Sequence, residues 1–119
     1  MDEYEILKKI IQDCLWIDQK ACTTYHKFSE NTANETLKQE WTDRSHEEMF
    51  HILFWKKALG LAERKHLPLI FKNPVEIKEK ISRTRATVEK ITLQFTKYDV
   101  YSEQLTLAFM LETCMLHPA

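Results

Sequence analysis

The sequence predicts an all-α fold, a bundle of long antiparallel helices that forms one domain over residues 1–119. Only one Gly and three Pro occur among the 119 residues, and so little of either favours long helices over strands and turns. Apolar residues also recur at alternating steps of three and four, the spacing of the inward face of a bundle helix. The length is sufficient for one domain.

The first helix is predicted over residues 3–29, and the second runs from Thr32 to Gly60 or slightly beyond. Thr32 and Glu35 have the spacing of a capping box, and Gly60 is a residue type that ends or bends a helix. Because the connection at 28–32 is short, the two helices are expected to be antiparallel neighbours.

Residues 61–73 are expected to form a crossover connection to the third helix. Asn73 followed by Pro74 is a strong helix start, because Asn caps well and Pro fits the first turn. The apolar stripe of this helix carries no acidic residue, so it is given no metal role.

A fourth helix is expected to be capped by Ser102 or Asp99 and to end before Pro118. It is apolar nearly all round, and such a helix must be covered on every side. This favours a homodimer, or a longer chain, over an isolated monomer.

Three acidic residues and one histidine occupy the apolar helix faces: Asp18, Glu48, His51 and Glu112. A carboxylate in such a place is costly unless a cation or hydrogen bonds satisfy it. Glu48 and His51 form an E-x-x-H pair, whose side chains project from one helix face and can bind the same ion. Oxygen-rich ligation with one imidazole per metal suits iron or manganese better than zinc.

The segment Asp18–Tyr25, followed by Trp41 and then by Glu48–His51, resembles the first half of a rubrerythrin-type, ferritin-like di-iron protein. Glu112, in Leu-Glu-Thr-Cys, resembles the carboxylate of a further bundle helix in that family. The resemblance implies iron, perhaps as two ions per site, and oxidation of ferrous iron or reduction of peroxide or dioxygen. Whether the chain is such a ferroxidase or peroxidase stays open at this point, as does manganese in place of iron.

The resemblance also implies a role for each residue. Asp18 is expected as a terminal ligand, Glu48 as a bridging carboxylate and His51 as an imidazole ligand. Glu112 is expected as the partner carboxylate. Tyr25 is expected to donate a hydrogen bond beside the ligands, and Arg44 is also expected next to them.

Three features depart from the family pattern. Asp18 stands where the family usually has Glu, and the chain lacks the four cysteines of a rubredoxin-like iron site. A second E-x-x-H is also missing, since Met115 rather than His follows Glu112. The chain is therefore either a fragment or completes its site in a homodimer or higher homo-oligomer, for which twofold symmetry is the commonest arrangement.

The alternative interpretation is a metal-free helical interaction protein with a degenerate site. In that case Arg44 could pair with Glu48 as a buried ion pair. The net charge of −1 and the absence of a basic run argue against a nucleic acid or a membrane as partner. Three cysteines without a C-x-x-C pair suggest reduced thiols and a cytoplasmic protein.

Overall fold

The computed structural model describes residues 2–69, 71–94 and 101–116, without the side chains of Tyr101 and Leu116. Over these residues the chain forms four α-helices and no strand, which confirms the predicted all-α fold. The helices are α1 (Glu3–Glu30), α2 (Glu35–Glu63), α3 (Pro74–Gln94) and α4 (Tyr101–Leu116). No helix within the described ranges has both the length and the apolar character needed to cross a membrane.

The start of α2 differs from the prediction. Its N-cap is Asn34, whose side chain accepts a hydrogen bond of 2.9 Å from the backbone N–H of Leu37. The capping box predicted at Thr32 was therefore wrong, because Asn34 is an equally strong capping residue and lies directly before the helical run.

The end of α2 agrees with the prediction, whereas the start of α4 differs from it. Helix α2 passes Gly60 and ends slightly beyond it, at Glu63. Ser102 is the second residue of α4 and not its cap, while Asp99, the other predicted cap, lies outside the described residues. The predicted start of α3 is confirmed, since its first residue is Pro74.

Helices α1 and α2 form an antiparallel pair along their whole lengths. At one end the hydroxyl of Tyr4 donates to the carbonyl of Lys65 at 3.5 Å. Further along, the thiol of Cys22 lies 3.4 Å from the carbonyl of Ser45. Residue numbers thus increase along α1 in the direction in which they decrease along α2, which confirms the predicted antiparallel arrangement.

Helix α4 runs antiparallel to α1, because Gln104 lies near the end of α1 and Glu112 lies nearer its middle. The indole N–H of Trp41, whose ring packs against Phe28, donates to Gln104 at 3.0 Å, while Glu112 bonds to Tyr25. Helix α3 packs on α4 and is joined to it by only six residues, 95–100. A link that short makes α3 and α4 antiparallel, so α3 runs parallel to α1.

Helix α1 lies between α2 and α3, which do not pack on one another. The connection 64–73 therefore passes the N-terminal half of α1, where Leu67 and Phe71 pack against a cluster that includes Leu7 and Ile11. The helices follow an up-down-up-down order, and this connection crosses one end of the bundle rather than its length.

The main core lies in the half of the bundle that α4 covers. Tyr25 stacks on Trp41 with a centroid separation of 5.9 Å, and Phe28 meets Trp41 edge to face at 5.1 Å. Val88, Leu107 and other residues of α3 and α4 complete this cluster. Fixed aromatic packing at this level holds the neighbouring turns of α1 and α2 in register, and those turns carry the candidate site.

Among the described residues, the outer surface of α4 is left exposed. Its residues Leu107 and Leu111 are fully buried, whereas Phe109 is 74% exposed. Helices α2 and α4 do not pack closely along their described residues. Long polar side chains therefore connect them: Gln104 bonds to Trp41, and Glu112 bonds to Arg44.

Candidate metal centre

Asp18 of α1 and two residues of α2, Glu48 and His51, form one group in the middle of the bundle. One ligand atom from each residue lies within 4.8 Å of the other two. The two α2 residues share a face because they are three apart, and the antiparallel packing of α1 brings Asp18 opposite them. The structure thus brings together three of the four predicted ligands.

Glu48 is the buried member of the group, with 6% of its surface exposed. Its Oε2 lies 3.3 Å from Nδ1 of His51. Burial raises the pKa of Glu48 to about 9, helped by a hydrogen bond with Asp18 and by the negative charges of Asp18, Glu112 and Glu47. At neutral pH Glu48 therefore holds a proton and shares it with the Asp18 carboxylate.

Asp18 is oriented by an aromatic neighbour on α2. The indole N–H of Trp55 donates to Asp18 Oδ2 over 2.6 Å. Both residues line a cleft of about 130 Å³ that Met115 of α4 also borders. Cys14 lies in the same cleft, and burial raises its pKa to about 12, so it stays a neutral thiol.

His51 lies at the rim of the group, since its side chain is 59% exposed. The helical spacing had placed it on the buried stripe, and the stripe does continue through Glu48 and Ala58 on either side. The imidazole reaches solvent because none of the other three helices, as far as they are described, covers this part of α2. An exposed imidazole above two carboxyl groups gives an ion from solution direct access to the site.

Glu112, the fourth predicted ligand, occupies a separate network. Its Oε1 accepts 2.6 Å and 3.4 Å hydrogen bonds from the Tyr25 hydroxyl and from Arg44 Nη1. Arg44 Nε also donates to Glu40 at 2.9 Å. Arg44 is thus paired with Glu40 and Glu112 and not with Glu48 in the manner of the alternative interpretation.

Tyr25 is fully buried between this network and the aromatic core. Burial raises its pKa well above the usual range, and the hydrogen bond to Glu112 acts in the same direction. The Tyr25 hydroxyl therefore remains a hydrogen-bond donor, and its acceptor is Glu112.

The donor set suits a divalent transition metal. An ion with bonds of about 2.1 Å to oxygen and nitrogen holds its ligand atoms up to about 4.2 Å apart, so atoms already within 4.8 Å need to move little. Two carboxyl groups and one imidazole also match the ligand preferences of iron and manganese. Binding an ion here requires Glu48 to lose its proton, because a ligating carboxylate must be ionised.

The sequence interpretation missed a second buried carboxylate, Asp13 of α1, which has no exposed surface. Its Oδ1 accepts hydrogen bonds of 2.8 Å from both Lys9 and Arg85, and Arg85 also lies over the ring of Trp16 at 4.7 Å. A signal was present, because steps of four and three from Ile6 reach Ile10, Asp13 and Ile17. This second stripe faces α3, whereas the stripe used for prediction faces α2.

The chain matches no known family model, no curated protein and no solved structure.

Proposed function

We propose that this protein binds iron through Asp18, Glu48 and His51. The observation that carries the proposal is the convergence of two acids and an imidazole from two helices. The charges acting on Glu48 are the carboxylates Asp18, Glu112 and Glu47. Concentrating negative charge in a buried place is costly unless a cation offsets it, and a divalent metal supplies that charge.

Each chain residue has a part in holding the ion. Glu48 gives up its proton and supplies a carboxylate from the buried side, and His51 closes the site from the solvent side. Trp55 fixes one oxygen of Asp18 through its 2.6 Å hydrogen bond and leaves the other oxygen for the metal. Iron bound in this way would supply one-electron redox chemistry.

The finer proposal is a rubrerythrin-like, ferritin-like site with two irons that oxidises ferrous iron or reduces peroxide or dioxygen. Glu112 would join such a site after releasing Arg44, which lies 3.4 Å away and is the looser of its two partners. Ferritin-like bundles contain one long crossover, while the connection 64–73 crosses only one end of this bundle. The support for the proposal is therefore the ligand set and not the helix order. Manganese fits the same donors, so metal identity is part of the test.

Metal analysis after loading tests this proposal. We expect protein purified without chelator, or loaded anaerobically with ferrous iron, to hold about one iron per chain. Glu48→Ala and His51→Ala should lose it. Asp43→Ala, which removes an exposed α2 carboxylate that accepts a hydrogen bond from Gln39, is the matched control and should bind normally. Parallel loading with manganese identifies the preferred metal, and wild-type protein that stays free of both metals contradicts the proposal.

A second candidate function is a metal-free helical interaction protein. The observation in its favour is that each acid has a partner within the chain: Glu48 shares its proton with Asp18, Trp55 donates to Asp18, and Tyr25 donates to Glu112. In this case replacing Glu48 with Leu and His51 with Phe would leave the metal content of the loaded protein unchanged. On the iron-binding proposal the same double substitution removes the metal.

A further inference from the structure

Helix α2 carries a strip of large apolar side chains that point away from the rest of the chain. Met49, Phe50, Leu53 and Phe54 are 50%, 72%, 61% and 62% exposed, respectively. Pairs four residues apart lie together on a helix surface, so the four side chains form one continuous patch. Exposed apolar patches on this scale mark interaction sites.

The patch lies on a helix face that is complementary to itself. Glu47, Phe50, Phe54 and Lys57 follow one another at steps of three, four and three, the spacing of a helix that packs on another helix. An acid begins the series, a base ends it, and two phenylalanines stand between. All four are exposed.

An antiparallel pairing of two such helices about Ile52 satisfies every position. Phe50 then meets Phe54 of the partner subunit, because both lie two residues from Ile52. Glu47 meets Lys57 of the partner subunit, because both lie five residues from Ile52. A twofold interface is self-complementary in this way, and the opposite charges at its ends fix the register.

We propose that the face formed by Glu47, Phe50, Phe54 and Lys57 is the interface of a twofold dimer of this chain, with the His51 imidazole of each copy at its rim. The partner on this face is a second copy of the chain. The same helix in the opposite direction places Lys57 of the partner subunit against Glu47 and Phe54 of the partner subunit against Phe50.

The position of His51 connects the interface to the site. His51 follows Glu47 by four residues and precedes Phe54 by three, so it borders the interface on the surface of α2. A twofold axis perpendicular to the paired helices keeps the His51 residues of both copies on the same side of the pair. Helix α1 lies towards that side, since Asp18 reaches both Glu48 and His51. The two imidazoles therefore lie on one side of the dimer, while Glu48 is buried towards α1 and points away from the partner subunit.

The first test measures oligomeric state in the presence of chelator, so that the result does not depend on metal. Wild-type protein should sediment as a dimer, and Phe50→Glu should sediment as a monomer with unchanged helix content. Phe109→Glu is the matched control, because Phe109 is 74% exposed on α4, and it should remain dimeric. A monomeric wild type, or a dimer that Phe109→Glu breaks and Phe50→Glu leaves intact, overturns the inference.

A charge exchange tests the register. Glu47→Lys and Lys57→Glu each place like charges opposite one another at both ends of the interface, and each should raise the dimer dissociation constant about tenfold. The double variant restores opposite charges and should recover the wild-type value. Additive weakening in the double variant contradicts the antiparallel register.

Iron binding by the same variants separates the two proposals. A chelator-stable dimer that takes up no iron supports the interface and contradicts the iron-binding function. Monomeric Phe50→Glu that binds iron with wild-type affinity supports both, because the variant loses the interface and keeps the site. Phe50→Glu that stays dimeric and binds iron supports the function and overturns the interface.

Discussion

Two acids on α1, the fully buried Asp13 and the half-buried Asp18, lie five residues apart and have opposite electrostatic surroundings. Asp13 receives Lys9 and Arg85, each at 2.8 Å, so positive groups of the chain offset its charge. Asp18 receives the neutral indole N–H of Trp55 and lies beside the carboxyl group of Glu48. The first is a salt bridge that joins α1 to α3, and the second is a concentration of acid that a cation from outside would stabilise.

The comparison separates structural from functional burial of charge. Both acids sit on helix faces made largely of apolar residues, so a pattern of hydrophobicity treats them alike. The difference lies in what the neighbouring helix presents: α3 offers the guanidinium of Arg85, while α2 offers another carboxyl group and an imidazole. Replacing Asp13 should therefore lower stability and leave metal binding unchanged, whereas a substitution in the Asp18–Glu48–His51 group should weaken metal binding.

The largest expected effect is on iron affinity. Glu48→Gln keeps the shape of the side chain but removes the ionisable ligand, and we expect iron affinity to fall at least 100-fold. Asp13→Asn should bind iron as wild type does, because its carboxylate belongs to another interface. Anaerobic ferrous titration of both variants measures the difference, and equal losses in the two would remove the distinction between the sites.

The second effect concerns stability. Asp13→Asn leaves Arg85 and Lys9 without their shared anion and should lower the free energy of unfolding by about 2–3 kcal/mol. That figure is below the cost of breaking a fully buried pair, because both cations are partly exposed. Urea unfolding monitored by circular dichroism gives the value. A change below about 0.5 kcal/mol would show that the α1–α3 salt bridge contributes little.

The third effect is a pH dependence of the metal-free protein. The pKa of Glu48 is about 9 in the folded chain, against 4.5 as its ordinary value. Between these pH values the folded state holds a proton that the unfolded state has lost, so stability falls as pH rises through this window. Urea midpoints of chelated wild-type protein should decrease from pH 5 towards pH 9. Glu48→Gln, which has no proton to lose there, should flatten this dependence, and an equally steep profile in that variant would contradict the assignment.

A smaller effect is expected from the orienting tryptophan. Trp55→Phe removes the N–H that holds Asp18 and should weaken iron binding about tenfold, the usual cost of losing a hydrogen bond to a metal ligand. Trp16→Phe is the matched control, since Trp16 packs on Arg85 beside Asp13. It should leave iron affinity unchanged, and equal losses in both variants would point to general loosening of α1.

Prediction from sequence worked best where a single periodic stripe faces a single neighbour. The stripe from Leu7 through Asp18 to Phe28 correctly described the face of α1 that packs on α2 and the main core. It also placed Asp18 opposite Glu48, because antiparallel pairing follows from the short connection 31–34. Residue spacing alone thus predicted the helical bundle and the grouping of Asp18, Glu48 and His51.

The remaining features depended on tertiary context. Asp13 was missed because α1 contacts helices on two sides, and the prediction used only the apolar stripe that carries Asp18. His51 was expected inside because spacing gives a direction around the helix but not whether another helix covers it. Glu112 bonds to Tyr25 and Arg44, and only the relative positions of α1, α2 and α4 show which of its possible partners it meets.

The most direct test of the account is the anomalous diffraction of crystals loaded with ferrous iron and measured at the iron edge. We expect an iron peak about 2.0–2.3 Å from carboxylate oxygens of Asp18 and Glu48 and from a ring nitrogen of His51. Peaks confined to other residues, with Glu48 still hydrogen-bonded to Asp18, would contradict the central claim.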